Sequence, residues 1–242
     1  MTEARPAFYA LAPGGWRDYV TLLHPPYTLW HLSYVAIGAA LAPHFDGGLL
    51  ALTALAFFLA LGVGAHALDE LHGHPLETRI PDRLLAALAA ATILAAAAIG
   101  VGVAFARNLW LLPFVAFGTF IVVAYNLELF GGRLHTDAWF ALAWGAFPVT
   151  TAYFASAGTI RVEAALAAAF ALFLSHAQRL LSTRVREIRR RASAVSGTIV
   201  LDDGSSRPVD AALLTSAPEL ALRALTAAVV ALAFALVAVR VT

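Results

Sequence analysis

Residues 49–79 read LLALTALAFFLALGVGAHALDELHGHPLETR. The first seventeen residues carry no charge. Continued to Glu70 as a helix, the run is about 33 Å long at roughly 1.5 Å per residue, enough to cross a hydrocarbon core. Its end is dense with ionisable groups: His66, Asp69, Glu70, His72, His74, Glu77 and Arg79. Such groups are costly at membrane depth, so those that occur there mark a working site by default. The stretch therefore predicts a membrane helix with a functional cluster at one end.

The rest of the chain agrees with this reading. Of 242 residues, 61% are apolar and only 13% charged, and the mean hydropathy is +0.78. A soluble domain so apolar would lack the polar side chains to cover its surface. Cysteine is absent, which excludes disulfides, iron–sulfur clusters and thiolate sites. No nucleic-acid partner is expected. Residues 1–26 lack the short apolar core of a cleavable signal peptide.

Runs long enough to span fall at 27–43, 49–70, 84–106, 109–128, 138–157, 162–182 and 219–240. The fold expected is an all-α integral membrane protein of about seven transmembrane helices, with a six-helix core over 27–182 and a last helix in 219–242. All sixteen basic residues are arginines. With the N-terminus inside, thirteen of them are cytoplasmic and only Arg107, Arg161 and Arg240 are external. The positive-inside rule then places the protein in the cytoplasmic membrane with its C-terminus outside. Residues 1–26 form an interfacial approach, with Trp16, Tyr19, Leu22 and Leu23 against the membrane and His24-Pro25-Pro26 turning the chain. Residues 183–218 form a cytoplasmic insert. It is basic at its start and carries a hairpin with an Asp-Gly turn at Asp203-Gly204.

Seven of the eight histidines lie at inner helix ends or inner loops. His66 shares a helix face with Asp69 and Glu70, three and four residues on. Imidazole with carboxylate suits Zn²⁺ or non-haem Fe. A third ligand from another helix, such as His176, would complete the set. The candidate metal ligands are thus His66, Asp69, Glu70 and His176, with His31, His72, His74 and Glu128 as further candidates. Chemistry is assigned to the same four, His66, Asp69, Glu70 and His176.

Several motifs resemble those of the UbiA superfamily of intramembrane prenyltransferases. Leu23-His24-Pro25-Pro26 and Ile37-Gly38-Ala39-Ala40 resemble the family's opening. His66, Asp69 and Gly73 fall on its first acidic motif, and His74-Pro75-Leu76-Glu77-Thr78-Arg79-Ile80 on the stretch that follows. Tyr125, Arg133 and Ala143-Trp144-Gly145-Ala146-Phe147-Pro148 match the region between its fourth and fifth helices. His176, Arg179 and Thr183 fall on its second acidic motif. The resemblance implies a helical bundle with a lipid cavity open near the cytoplasmic face, and an isoprenoid, quinone or related lipid as substrate. It assigns substrate binding to Arg79, Tyr125 and Arg179.

The family holds Mg²⁺ with aspartates, and only Asp69 of those is kept. Imidazole prefers Zn²⁺ or Fe to Mg²⁺. Three expectations follow. The first is an intramembrane enzyme using a His/carboxylate, metal-binding site. The second is a Mg²⁺-dependent prenyltransferase of prenyl diphosphates using Asp69, Glu70 and Asp137. The third is a non-catalytic lipid-binding or assembly protein. One span follows the second motif where the family has three, so a second copy or partner subunit is expected to complete the wall.

Overall fold

The computed structural model describes residues 5–242. Among these, eight helices follow one another: α1 (Trp16–Leu22), α2 (Pro25–Leu41), α3 (Gly47–Leu71), α4 (Asp82–Arg107), α5 (Leu109–Asn126), α6 (137–157), α7 (Val162–Arg191) and α8 (Ala211–Val241). Between α7 and α8, β1 (Thr198–Val200) pairs antiparallel with β2 (Ser206–Pro208), Ile199 opposite Arg207. This is the hairpin expected from the Asp-Gly turn, and Gly204 supplies its positive φ of 78°.

Five helices, α3, α4, α5, α7 and α8, are long and apolar enough to cross a membrane. Each has a composition reason to be where it is. α4 is 26 residues of mostly Ala, Leu, Ile and Val. It buries only Leu85, Ala89, Ile93, Ala96 and Ala104, so most of its apolar surface is turned outward, as lipid contact requires. α2 is the opposite case. Only 17 residues long, it buries ten of them, including Trp30, His31, Ser33 and Tyr34. It sits at the centre of the bundle, packed against α3, α6, α7 and α8. Its polar side chains are paired within the protein: Trp30 Nε1 donates to the Tyr34 hydroxyl at 2.6 Å, and Ser175 Oγ donates to the same oxygen at 3.1 Å.

Close crossings use glycine. A Cβ on Gly38 would lie 2.2 Å from the Val149 carbonyl oxygen of α6. One on Gly145 would lie 2.5 Å from the Ala171 carbonyl of α7. Small residues let membrane helices approach to backbone contact, and here they tie α2 to α6 and α6 to α7.

Two helices widen into π turns, α3 over Phe58–Ala65 and α6 over Ala141–Ala146. Widening the bonding step leaves a carbonyl free for another donor, and such turns recur at functional sites. α7 runs to Arg191, beyond the 182 expected from hydropathy, and α8 starts at Ala211 rather than 219. The first difference arises because arginines are good helix formers. The second arises because Asp210 caps the new start, accepting from Leu213 N at 2.7 Å.

Candidate functional site

The up-and-down path brings eight pieces of chain to one end of the bundle. These are residues 5–15, α1, and the near ends of α2, α3, α4, α5, α6 and α7. Between residues 6–9, His24 and the near ends of α2, α3, α5, α6 and α7 lies a cavity of about 500 Å³. Its walls include His24, His31, His66, Asp69, Tyr125, Trp144, Gln178 and Arg179.

Three imidazoles have fixed tautomers because a carbonyl oxygen can only accept. His66 Nδ1 lies 3.1 Å from the Gly62 carbonyl and His31 Nδ1 lies 2.8 Å from the Trp144 carbonyl. Both carbonyls belong to the π turns, so each widened turn supplies the acceptor that orients one histidine. The Nε2 atoms of His31 and His66 are then lone-pair acceptors. His135 donates from Nδ1 to the Tyr125 carbonyl at 3.0 Å and accepts at Nε2 from Arg179 Nη2 at 3.3 Å.

Arg179 is held on three sides. Its Nε donates to Asp137 Oδ1 at 3.0 Å, its Nη2 reaches His135, and its guanidinium lies 5.4 Å from the Phe140 ring centre. His135 in the α5–α6 loop and Asp137 at the start of α6 therefore serve to aim this arginine. Tyr125 stacks on His135 (4.3 Å between ring centres) and meets Trp144 at a tilt (4.5 Å, 51°).

His24 stands in front of α2 with φ 46°, immediately before Pro25. Its ring stacks on His66 with centres 4.0 Å apart and planes 10° from parallel. Its Nδ1 lies 2.9 Å from the Tyr9 hydroxyl. Burial, and next the His66 ring beside it, push its pKa well below the ordinary 6.5, so the imidazole is neutral at physiological pH.

Among the described residues, three buried side-chain polar atoms lack a hydrogen-bond partner: His24 Nε2, Tyr125 Oη and Gln178 Oε1. All three residues line this cavity. Such groups cost stability unless something partners them. Around the mouth, α7 adds Arg186, Arg190 and Arg191, against the carboxylates of Asp69 and Glu187. A second, apolar crevice between α3, α4, α5 and α6 is lined by residues such as Ile93, Phe114, Val122 and Phe147. It shares Trp144 with the polar cavity.

Of the residues expected from sequence, His31, His66, Asp69, Tyr125 and Arg179 meet in this cavity. The others do not. Glu70 is fully buried and turned to the following loop, where it accepts from Leu76 N (2.9 Å), Thr78 N (2.9 Å) and Thr78 Oγ1 (2.8 Å). Its oxygens are occupied by the loop, which makes it a structural anchor. His176 is half-buried and outside the cavity lining, which on α7 begins at Gln178. His72, Arg79 and Glu128 are exposed. His74 bridges Asp82 at 2.8 Å and Glu70 at 3.4 Å, and the Asp82 hydrogen bond raises its pKa.

Of the candidate metal set, His66 and Asp69 line the cavity, Glu70 is turned to the loop and His176 lies outside the lining. Among the described residues no group of three or more His, Asp or Glu side chains gathers closely enough to hold an ion. Asp137, the third carboxylate of the Mg²⁺ alternative, is paired with Arg179 through Oδ1.

The sequence reading missed His24, Gln178, His135, Arg186 and Arg190. Gln178 had a signal, being an amide at the edge of an apolar run. His24 had none beyond its place before two prolines. No family model, no curated protein and no solved structure matches this chain.

Proposed function

We propose that this chain is a UbiA-like intramembrane protein that acts on an isoprenoid, quinone or related lipid, with the polar head in the 500 Å³ cavity and the apolar chain in the adjoining crevice. One observation carries the reading: the three residues that bear unpartnered buried polar atoms all line one cavity, and Trp144 forms part of the wall of both that cavity and the apolar crevice. A ligand that satisfies both must be amphiphilic. The arginines favour an anionic head, to which guanidinium groups bind with charge-assisted hydrogen bonds. Near the head, Asp69 and the Nε2 atoms of His31 and His66 are the groups suited to take a proton, and proton transfer to such groups is the chemistry this chain's own residues offer. In this reading α2 and α6 count as the sixth and seventh membrane helices. The arginine-rich end faces the cytoplasm and the C-terminus lies outside.

A photoreactive farnesyl phosphate tests the proposal. Irradiated with the detergent-purified protein, it is expected to label residues of the Trp144 crevice, and Arg179→Ala and Gln178→Leu together should reduce that labelling. Labelling confined to the outer faces of α4 and α8, unchanged in the variants, would sink it.

A further inference from the structure

Residues 6–9 form one wall of the cavity. They are fastened by contacts from three separate elements. Arg190 Nε of α7 donates to the Pro6 carbonyl at 3.2 Å. The Arg223 guanidinium of α8 lies 4.9 Å from the Phe8 ring centre. Ala7 and Ala10 pack on Leu76 of the loop after α3. The strap thus reads the positions of α7, α8 and the 72–81 loop at once, and it delivers Tyr9 to His24.

His24 is conformationally unusual twice over. Its φ of 46° is in the left-handed region, which a side-chain-bearing residue rarely takes. A following proline also disfavours helical backbone geometry. Strain of this kind persists only where surrounding contacts enforce it, and it clusters at functional positions. Here the enforcing contacts are the His66 stack at 4.0 Å and the Tyr9 hydroxyl at 2.9 Å.

The Tyr9 bond also decides which ring nitrogen carries the proton. The hydroxyl has no other hydrogen-bond partner among the described residues, and the 2.9 Å contact is compatible with its donating to Nδ1. The proton of the neutral ring is then on Nε2, the buried atom without a partner. The stacked pair is therefore complementary: His66 presents a lone pair and His24 presents an N–H.

We propose that Tyr9 is a positioning residue of this cavity. Carried in by the strap, it holds His24 as the Nε2–H tautomer and so aims a neutral donor at the head of the bound lipid. This rests on the lipid-head reading above. Arg179 and the α7 arginines supply charge, whereas His24 supplies direction.

Two measurements on the full chain in detergent test it. The first is ¹⁵N NMR of histidine-labelled protein, where wild-type His24 is expected to be protonated at Nε2, and Tyr9→Phe to lose that single tautomer. Phenylalanine keeps the ring packing against Phe8 and Tyr27. The second is binding of farnesyl phosphate and farnesol. Loss of an oriented donor to a charged head should weaken farnesyl phosphate by about tenfold in Tyr9→Phe, with farnesol unchanged. A wild-type His24 protonated at Nδ1, or Tyr9→Phe binding farnesyl phosphate as tightly as wild type, overturns the proposal. Should wild type bind no farnesyl phosphate, the lipid-head reading fails, and the tautomer measurement still decides whether Tyr9 sets His24.

Discussion

At the end of the bundle where α3 begins and α4 finishes, polar side chains are matched. Asp46 accepts from Leu49 N at 3.0 Å and pairs with Arg107. Tyr153 donates to Glu163. Arg240 donates to the carbonyls of Ala42 and Pro43. At the other end the same kinds of residues leave His24, Tyr125 and Gln178 each with an unpartnered atom. The chain is able to satisfy its polar groups, and does so at one end with small means. The deficit at the other end is local, and it surrounds the one large polar cavity described. A fold keeps such a deficit when a ligand removes it.

The largest effect that would sharpen this contrast comes from Glu70, the matched group nearest to the unmatched ones. Glu70→Ala strands two backbone N–H groups and a hydroxyl in a buried site. It should cost about 3 kcal/mol or more, measured by SDS- or heat-induced unfolding in detergent. A near-neutral variant would mean that Glu70 belongs with the site after all.

Acid comes next. His24 has a depressed folded pKa. Above its ordinary value of 6.5 the ring is neutral whether folded or unfolded. Below it the unfolded chain takes a proton that the stacked, buried ring resists, so the unfolded state binds more protons and stability is lost as pH falls. Stability measured from pH 7.5 downward should drop once pH passes below 6.5, and His24→Phe should flatten the drop. His74 acts in the opposite sense. Its folded pKa is raised by Asp82, so its contribution is present below 6.5 and lost as pH rises through the folded value. His74→Gln should therefore steepen the acid loss.

One turn deeper than the cavity, Tyr34→Phe removes the acceptor of Trp30 Nε1 and Ser175 Oγ. It should cost about 1–2 kcal/mol while leaving lipid labelling intact. The smallest effect expected has the other sign. Gln178→Leu deletes a buried amide whose Oε1 has no partner, so stability should hold or rise by about 1 kcal/mol while lipid retention falls. A clear loss of stability in this variant would show that Gln178 has a partner and would break the contrast between the two ends.

Much of this was legible in the sequence, for stated reasons. The helices are long apolar runs, and His66, Asp69, Tyr125 and Arg179 declare themselves because ionisable or polar groups at such helix ends are expensive. Glu70 shows the limit. Spacing of three and four residues puts His66, Asp69 and Glu70 near one face, but it does not show that Glu70 turns to the loop while Asp69 turns to the cavity. That depends on where residues 76–78 return. On α7 the apolar pattern ends at the first arginines, so the helix was read as stopping at 182. The lining runs from Gln178 along the half that follows, past His176. His24 and Tyr9 meet across fifteen residues and a left-handed turn, a contact that no local pattern encodes.

The glycine crossings carry a consequence for motion. With Gly38 against Val149 and Gly145 against Ala171, α2, α6 and α7 touch backbone to backbone and have no side-chain cushion on which to slide. Breathing of the molecule is thereby left to segments outside these crossings, such as the 127–136 loop and the hairpin between α7 and α8. Amide hydrogen exchange should divide the chain along that line, slow in the three welded helices and fast in the 127–136 loop. An alanine at Gly38 or Gly145 would then loosen the slow group itself, and a cavity whose walls move independently would hold no fixed geometry for a lipid head.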